Sequence, residues 1–277
     1  MGFFSFDKEG PGVSKDAPKK KGMFLFFELL GRKFGKFCQI NMLYFLISLP
    51  MILISIVAGK FFVEYASRIL GFSNYSEHIL FVTLTTFAAF MIVVLLGSGP
   101  ASASLSYFYR AVVRESGIYL VSDFFEQFKK NFLQGITVGI INTIVTFIML
   151  FVILFYGEIF LRTNSTFAFI SMLIVFLACM IFVFSSYYIY QLMITFENTT
   201  FELYKNSIIL ALVNMPMNLL LSAIIFLINS WLFTPLNPAI TGLLSFICWI
   251  SVMRFIIEFF TSRMIQKKII NKIKTED

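Results

Sequence analysis

Charge is scarce in this chain, and its scarcity excludes more than any motif does. Only 13% of the 277 residues are charged, while 58% are hydrophobic. A water-soluble globular chain carries about 25% charge. Cysteine and histidine are nearly missing as well. Cys38, Cys179 and Cys248 lie in or beside apolar runs without C-x-x-C or Cys/His spacing, and His78 is the single histidine. A zinc centre or a disulfide framework therefore has no donors. The thiols read as small buried hydrophobes, and no metal or cofactor is expected. No G-x-x-x-x-G-K-[ST], H-E-x-x-H or G-x-S-x-G occurs, so neither nucleotide hydrolysis nor the common hydrolase chemistries are indicated. A membrane hydrolase would need a base beside a nucleophile, and the chain is not expected to be an enzyme.

What the chain has in abundance is apolar surface. Thirty-seven phenylalanines are too many for one aqueous core to hide. About 20 apolar residues are needed to cross roughly 30 Å of hydrocarbon. Six windows qualify: residues 40–59, 79–97, 133–156, 167–194, 207–228 and 238–260, the first five without a charge. Continuous runs of this kind are helices and not the alternating segments of a membrane barrel. The expected fold is an all-α, polytopic transmembrane bundle of about six spans with interfacial amphipathic helices. It would occupy residues 23–260, between a disordered basic tail at 1–22 and a basic tail at 261–277. The N-terminal tail lacks an apolar stretch beside its basic residues, so no cleaved signal is expected.

The cations set an orientation. Residues 1–39 hold eight Lys or Arg, 98–132 four, 195–206 one and 261–277 five. The alternating segments 60–78, 157–166 and 229–237 hold three in all. Eighteen against three places both termini in the cytoplasm by the positive-inside rule, in the plasma membrane. Basic residues at the edges of apolar runs, and not along a soluble face, exclude nucleic acid as a partner. The lipid bilayer is the expected one.

Pro50 and Pro216 each stand about ten residues into a window. Proline there removes a backbone hydrogen bond and kinks a helix; the kink can be purely structural or a hinge. The inward-to-outward helices share a preface: Phe26-Phe27-Glu28 with Arg32, Phe124-Phe125-Glu126 with Lys130, and Phe201-Glu202 with Lys205. Each puts an acid and a base on one helix face. Asp123 and Glu126 also fit an N-terminal capping signal. Two readings stand: a repeated interfacial helix and hairpin, or the ordinary decoration of an inner membrane edge.

The segment 98–132 is the most distinctive. Gly99-Pro100 should end the second span and start a helix running to about Arg114, whose first turns are small residues that allow close helix approach. Arg110 and Arg114 share a face. With Lys129 and Lys130 they are candidate contacts for lipid phosphate or a partner's carboxylates, or plain positive-inside anchors. Gly99, Pro100 and the small run, then Arg110 to Ser116, then Asp123, Phe124 and Phe125 through Asn131, resemble the YesL-like family of bacterial membrane proteins. Asn41 to Pro50 and Lys205 to Pro216 resemble its first and fifth spans, so that the likeness covers roughly residues 25–225. Met51-Ile52-Leu53 depart from the family's Thr and small residues after the first-span proline. The resemblance implies no assigned activity. It implies an accessory component associated with carbohydrate uptake, with other transport-system membrane proteins as partners.

Among the polar residues inside the windows are Asn142, Gln191, Asn214, Asn218, Arg254 and Glu258. The amides are expected to bridge helices. Arg254 and Glu258, four apart, are expected to pair, with the arginine snorkelling to the cytoplasmic edge. Glu-Ala-Ala with a following glycine, the docking loop of ABC permeases, is absent from 195–206, which argues against a pore-forming permease. Two other functions stay open: a stand-alone transporter with a midplane site at the kinked spans, and a regulatory scaffold.

Overall fold

The computed structural model describes residues 22–70, 99–233 and 237–270. The window at 79–97, His78, and the tails at 1–21 and 271–277 lie outside the described residues. What is described is about 90% helical, with no strand. In order come α1 (Met23–Arg32), α2 (Phe34–Leu70), α3 (Pro100–Val113), α4 (Leu120–Lys130), α5 (Phe132–Thr163), α6 (Thr166–Met193), α7 (Thr200–Val213), α8 (Met215–Phe233), α9 (Pro238–Leu244) and α10 (Ile250–Ile265). A π-helical turn at Ser245–Trp249 joins α9 to α10, and a second, Gln266–Ile270, extends α10.

Among the described residues, three helices are long and apolar enough to cross a membrane: α5, α6 and the composite helix Ile240–Ile270. The pair α7–α8 makes a fourth if it counts as one span. At 1.5 Å per residue α6 alone is about 42 Å long. α5 and α6 form a hairpin closed by Asn164 and Ser165. Asn164 ends α5 in the left-handed region (φ 49°), which asparagine tolerates. The Ser165 hydroxyl accepts from the Ala168 N–H and caps α6. Ile140, Ile144 and Ile148 form an outward stripe on α5, and Phe169, Leu173, Phe176 and Leu177 crowd the outside of α6. In water such a stripe would aggregate; in hydrocarbon it faces its proper solvent.

The last helix is the most enclosed of the three. Its most apolar window is 44% buried, against 17% for α5 and 11% for α6. Against it lies α3, buried from Pro100 to Ser106. The sequence reading left 98–132 outside the spanning windows, as a cytoplasmic segment whose small residues allow close helix approach. α3 is core; only the part after Val113 is surface. Its start crosses α5 backbone to backbone. A Cβ on Gly99 would meet the Gly135 carbonyl oxygen at 2.8 Å, and one on Gly135 would meet Pro100 N at 2.7 Å. Gly99 also needs its φ of 68°, a conformation open to glycine without strain.

The fifth window does not form a straight span. The helix stops at Val213, and α8 leaves at 86° to α7. Pro216 is the second residue of α8, where its missing N–H costs nothing. It cannot serve the carbonyl four residues back, so α7 ends there. Asn214 and Asn218 add side-chain bonds to the last turn of α7: their amides donate to Leu210 O (2.9 Å) and Ala211 O (3.0 Å). Pro50, by contrast, is carried inside the continuous α2. The sixth window also runs on, since helix continues to Ile270 through residues read as tail.

α1 and α4 follow the shared preface closely. In each the first phenylalanine is buried (Phe26, Phe124) and the second exposed (Phe27, Phe125). Each breaks at one residue, Lys33 or Asn131, before a long helix. The third preface differs, because α7 continues to Val213 before its break.

Candidate functional site

Three cationic segments meet at one end of the bundle. Arg32 at the end of α1 pairs with Glu28 (3.5 Å) and with Glu115, just past α3. Arg110 on α3 donates to Ile194 O (3.2 Å) and Thr195 Oγ1 (2.8 Å) at the end of α6. Arg114 reaches Gln266 Oε1 at 3.4 Å. Lys268 Nζ donates to Asn214 Oδ1 at 2.5 Å. An aromatic cluster lies beneath this end: Phe26 stacks on Phe255 (5.1 Å between centroids), and Phe37 packs on Phe255 (4.7 Å) and Phe108 (5.8 Å).

Further in, α2, α3, α6 and α10 share a buried polar network. Arg254 and Glu258 are 1% and 2% exposed, with Nη2 3.6 Å from Oε1. The snorkelling expected of Arg254 is not what the structure shows, because the guanidinium stays inside and lies 5.7 Å over the Tyr190 ring. Glu258 does not rely on the arginine alone: Ser106 Oγ donates to Oε1 at 2.5 Å, and Gln191 Nε2 donates to Oε2. Tyr109 donates to Ser251 O at 2.8 Å. The Gly99 N–H donates to Tyr190 Oη at 3.3 Å. Asn41 meets the π-turn: its amide donates to Ser245 O (2.8 Å) and Phe246 O (2.6 Å), and its Oδ1 accepts from the Ser251 N–H (2.7 Å). A π-turn shifts the helical hydrogen-bond register and leaves backbone groups without their usual partner. Asn41 supplies the partner, as hydrocarbon surroundings require.

The other intramembrane amides bridge helices. Tyr204 donates to Asn142 Oδ1 at 2.8 Å, and Tyr188 to Asn218 Oδ1 at 2.7 Å. The Tyr188 hydroxyl also lies 3.5 Å from Met264 Sδ. With the Lys268 bond to Asn214, this sets the α7–α8 break at the level of the C-terminal turns of α10. The break is at the basic end and not at mid-depth.

Gln191 is also part of the floor of a cavity of about 110 Å³ between the ends of α3, α6 and α10. Arg110, Arg114, Arg263, Thr195 and Ser262 line it as well, and among the described residues no acidic one does. Arg110 is half-buried; burial lowers its pKa from the ordinary arginine value, and the charge of Arg114 adds to the effect. Arg263 lies over the Phe259 ring at 4.2 Å.

The candidate residues are thus divided. Arg110 and Arg114 come together at the cavity. Lys129 and Lys130 are exposed in the last turn of α4 and do not join them. Asp123 is not the N-cap of α4, which begins three residues earlier; its carboxylate accepts from the Tyr119 N–H (3.0 Å). Asn131 forms the break before α5, its amide donating to Gln127 O (2.9 Å). The true capping box is Thr199 with Glu202. Sequence reasoning gave no role to Asn41, Ser106 or Arg263. A lone amide in a charge-free window was the available signal for Asn41. Arg263 stood beyond the sixth window and carried none. Among the described residues no group of His, Cys, Asp and Glu could hold a metal ion, and the three cysteines are free thiols.

Residues 74–153 match the family described as "Protein of unknown function, DUF624", to which YesL-like proteins belong. The match takes in α3, α4 and the first two-thirds of α5 and falls short of the span the sequence resemblance covers. No curated protein and no solved structure matches the chain. Together with the apolar helices, the match points to a membrane-embedded protein whose function the family does not state.

Proposed function

We propose that this chain is a multi-pass protein of the bacterial plasma membrane, with its basic end in the cytoplasm, and a non-enzymatic accessory component of a solute uptake system. The observation that carries this reading is the composition of the basic end. There α4 exposes Tyr119, Val121 and Phe125 and ends in Lys129 and Lys130. α1 exposes Phe24 and Phe27 and ends in Arg32. Short helices with one aromatic face and cationic last turns suit the headgroup layer and an acidic partner at its surface. The association with carbohydrate uptake comes from the YesL-like resemblance. The transporter alternative draws on broken helices with polar groups at mid-depth. It is less favoured, because the α7–α8 break is level with Lys268 and the intramembrane amides are taken up in bonds between helices.

Arg110 is tied inward to the end of α6, so the informative substitutions are the exposed lysines. The chain isolated in mild detergent from its own membrane should bring down subunits of a solute uptake system. Lys129→Glu with Lys130→Glu should cut that recovery at least fivefold while leaving insertion unchanged. A chain that isolates alone, and by itself carries solute into liposomes, would replace this reading with the transporter.

A further inference from the structure

Three arginines line the cavity between α3, α6 and α10, and among the described residues none of its lining offers them a carboxylate. They come from two separate helices, Arg110 and Arg114 from α3 and Arg263 from α10. Elsewhere in the described structure Arg32, Arg162 and Arg254 each have a glutamate within reach. Cations brought together without an acid repel one another, and here burial of Arg110 adds a desolvation cost. A fold keeps such an arrangement at the expense of stability unless something anionic offsets it.

The positions of the guanidinium groups are fixed by other contacts. One Nη of Arg110 is used on Ile194 O and Thr195 Oγ1, which anchors the group and leaves its remaining donors. Arg263 lies over the Phe259 ring. Arg114, exposed at the rim, reaches across to Gln266. Thr195, Ser262 and Gln191 complete the wall, but their protons are directed to Gln191 O, Phe259 O, and Glu258 with Ser106 O, so the arginines supply the free donors. Gln191 is itself fixed from behind by Glu258. The volume of about 110 Å³ is several times the ~10–15 Å³ that one water needs.

We propose that this cleft is a binding site for a phosphoryl group. A carboxylate is satisfied by a single guanidinium fork. Three arginines from two helices, with no acid among the described residues lining the cleft, fit a group that presents three oxygens and up to two negative charges. The cleft is at the basic end, where both a lipid headgroup and a soluble phosphate ester are within reach. Either source satisfies the same chemistry. The inference stands on the cleft alone and does not depend on the uptake reading.

The test uses the full chain in phosphatidylcholine discs, followed by its thermal unfolding midpoint. In one arm inorganic phosphate is titrated against sodium chloride at matched ionic strength. In the other, part of the phosphatidylcholine is replaced by phosphatidic acid. The expected result is stabilisation in at least one arm, with the apparent affinity weakened at least tenfold by Arg263→Gln and by Arg114→Gln. Lys36→Gln with Lys205→Gln, which removes two cations outside the cleft, should leave the response in place. A response to phosphate assigns a soluble ester, a response confined to phosphatidic acid assigns a headgroup, and both support the site. If Arg263→Gln does not fold, Arg114→Gln at the exposed rim carries the comparison. The proposal is overturned if neither arm stabilises the protein, if the arginine variants respond as the parent does, or if the lysine variant loses the response equally.

Discussion

Replacing Asn41 with leucine should be among the most destabilising single changes in this protein, at about 2–4 kcal/mol by detergent unfolding. The estimate follows from what the amide does. Three hydrogen bonds join Asn41 to the helix opposite, and two of its partners are carbonyls and one an N–H of the backbone around the π-turn. Hydrogen bonds between membrane helices average only ~0.6 kcal/mol, because unfolded helices find other partners. A backbone group has no such freedom: with Asn41 gone, the Ser251 N–H stays buried without an acceptor, at ~1–3 kcal/mol. Asn41→Asp should cost less than leucine, since its oxygen can still accept from Ser251. A leucine variant within 0.5 kcal/mol of the parent, by ~RT scale a negligible change, would mean the π-turn relaxes to ordinary helix without its amide.

The second large effect concerns Arg254 and Glu258. Breaking a buried ion pair by removing one partner costs ~3–5 kcal/mol, because the other charge is left without compensation. Glu258→Leu should therefore be severe, and it also removes the acceptor of Ser106 and Gln191. Arg254→Met should be milder, since those two donors still serve the carboxylate. The double variant Arg254→Met with Glu258→Leu should be more stable than Glu258→Leu alone, because no buried charge remains. If the double variant is worse than both singles, the two residues act independently, and the network is held by Ser106 and Gln191 without help from the pair.

The long apolar helices were readable from composition. Windows 133–156 and 167–194 fall within α5 and α6, whose surfaces are apolar all round and need no partner to be recognised. A kink at Pro216 was readable, but not its size of 86°, because apolar content runs through it unchanged. What ends α7 is Pro216 together with two asparagines that bond the carbonyls of its last turn, and the same proline chemistry at Pro50 leaves α2 continuous. The placement of α3 was missed for a related reason. A run of Ala and Ser has little hydropathy, so it fell outside the spanning windows, although its small residues pointed to close helix packing. In the structure its small side chains let it pack closely against the last helix and α5, with Gly99 against Gly135 as the closest crossing. The cleft was half visible. Arg110 and Arg114 stood out as one helix face, but Arg263 joins them only through the tertiary fold, 149 residues further along the chain than Arg114.

The account rests on a bundle that crosses the bilayer with its basic end inside, and labelling from the two sides tests that directly. In a background with the three native cysteines replaced, one cysteine is placed at Ser116, beyond α3, and another at Asn164, in the turn between α5 and α6. Both positions are exposed, and they lie at opposite ends of α5. An impermeant thiol reagent added to intact cells should label Asn164→Cys and leave Ser116→Cys untouched until the membrane is opened. Labelling of Ser116→Cys in intact cells, or of both positions from the same side, would contradict the account.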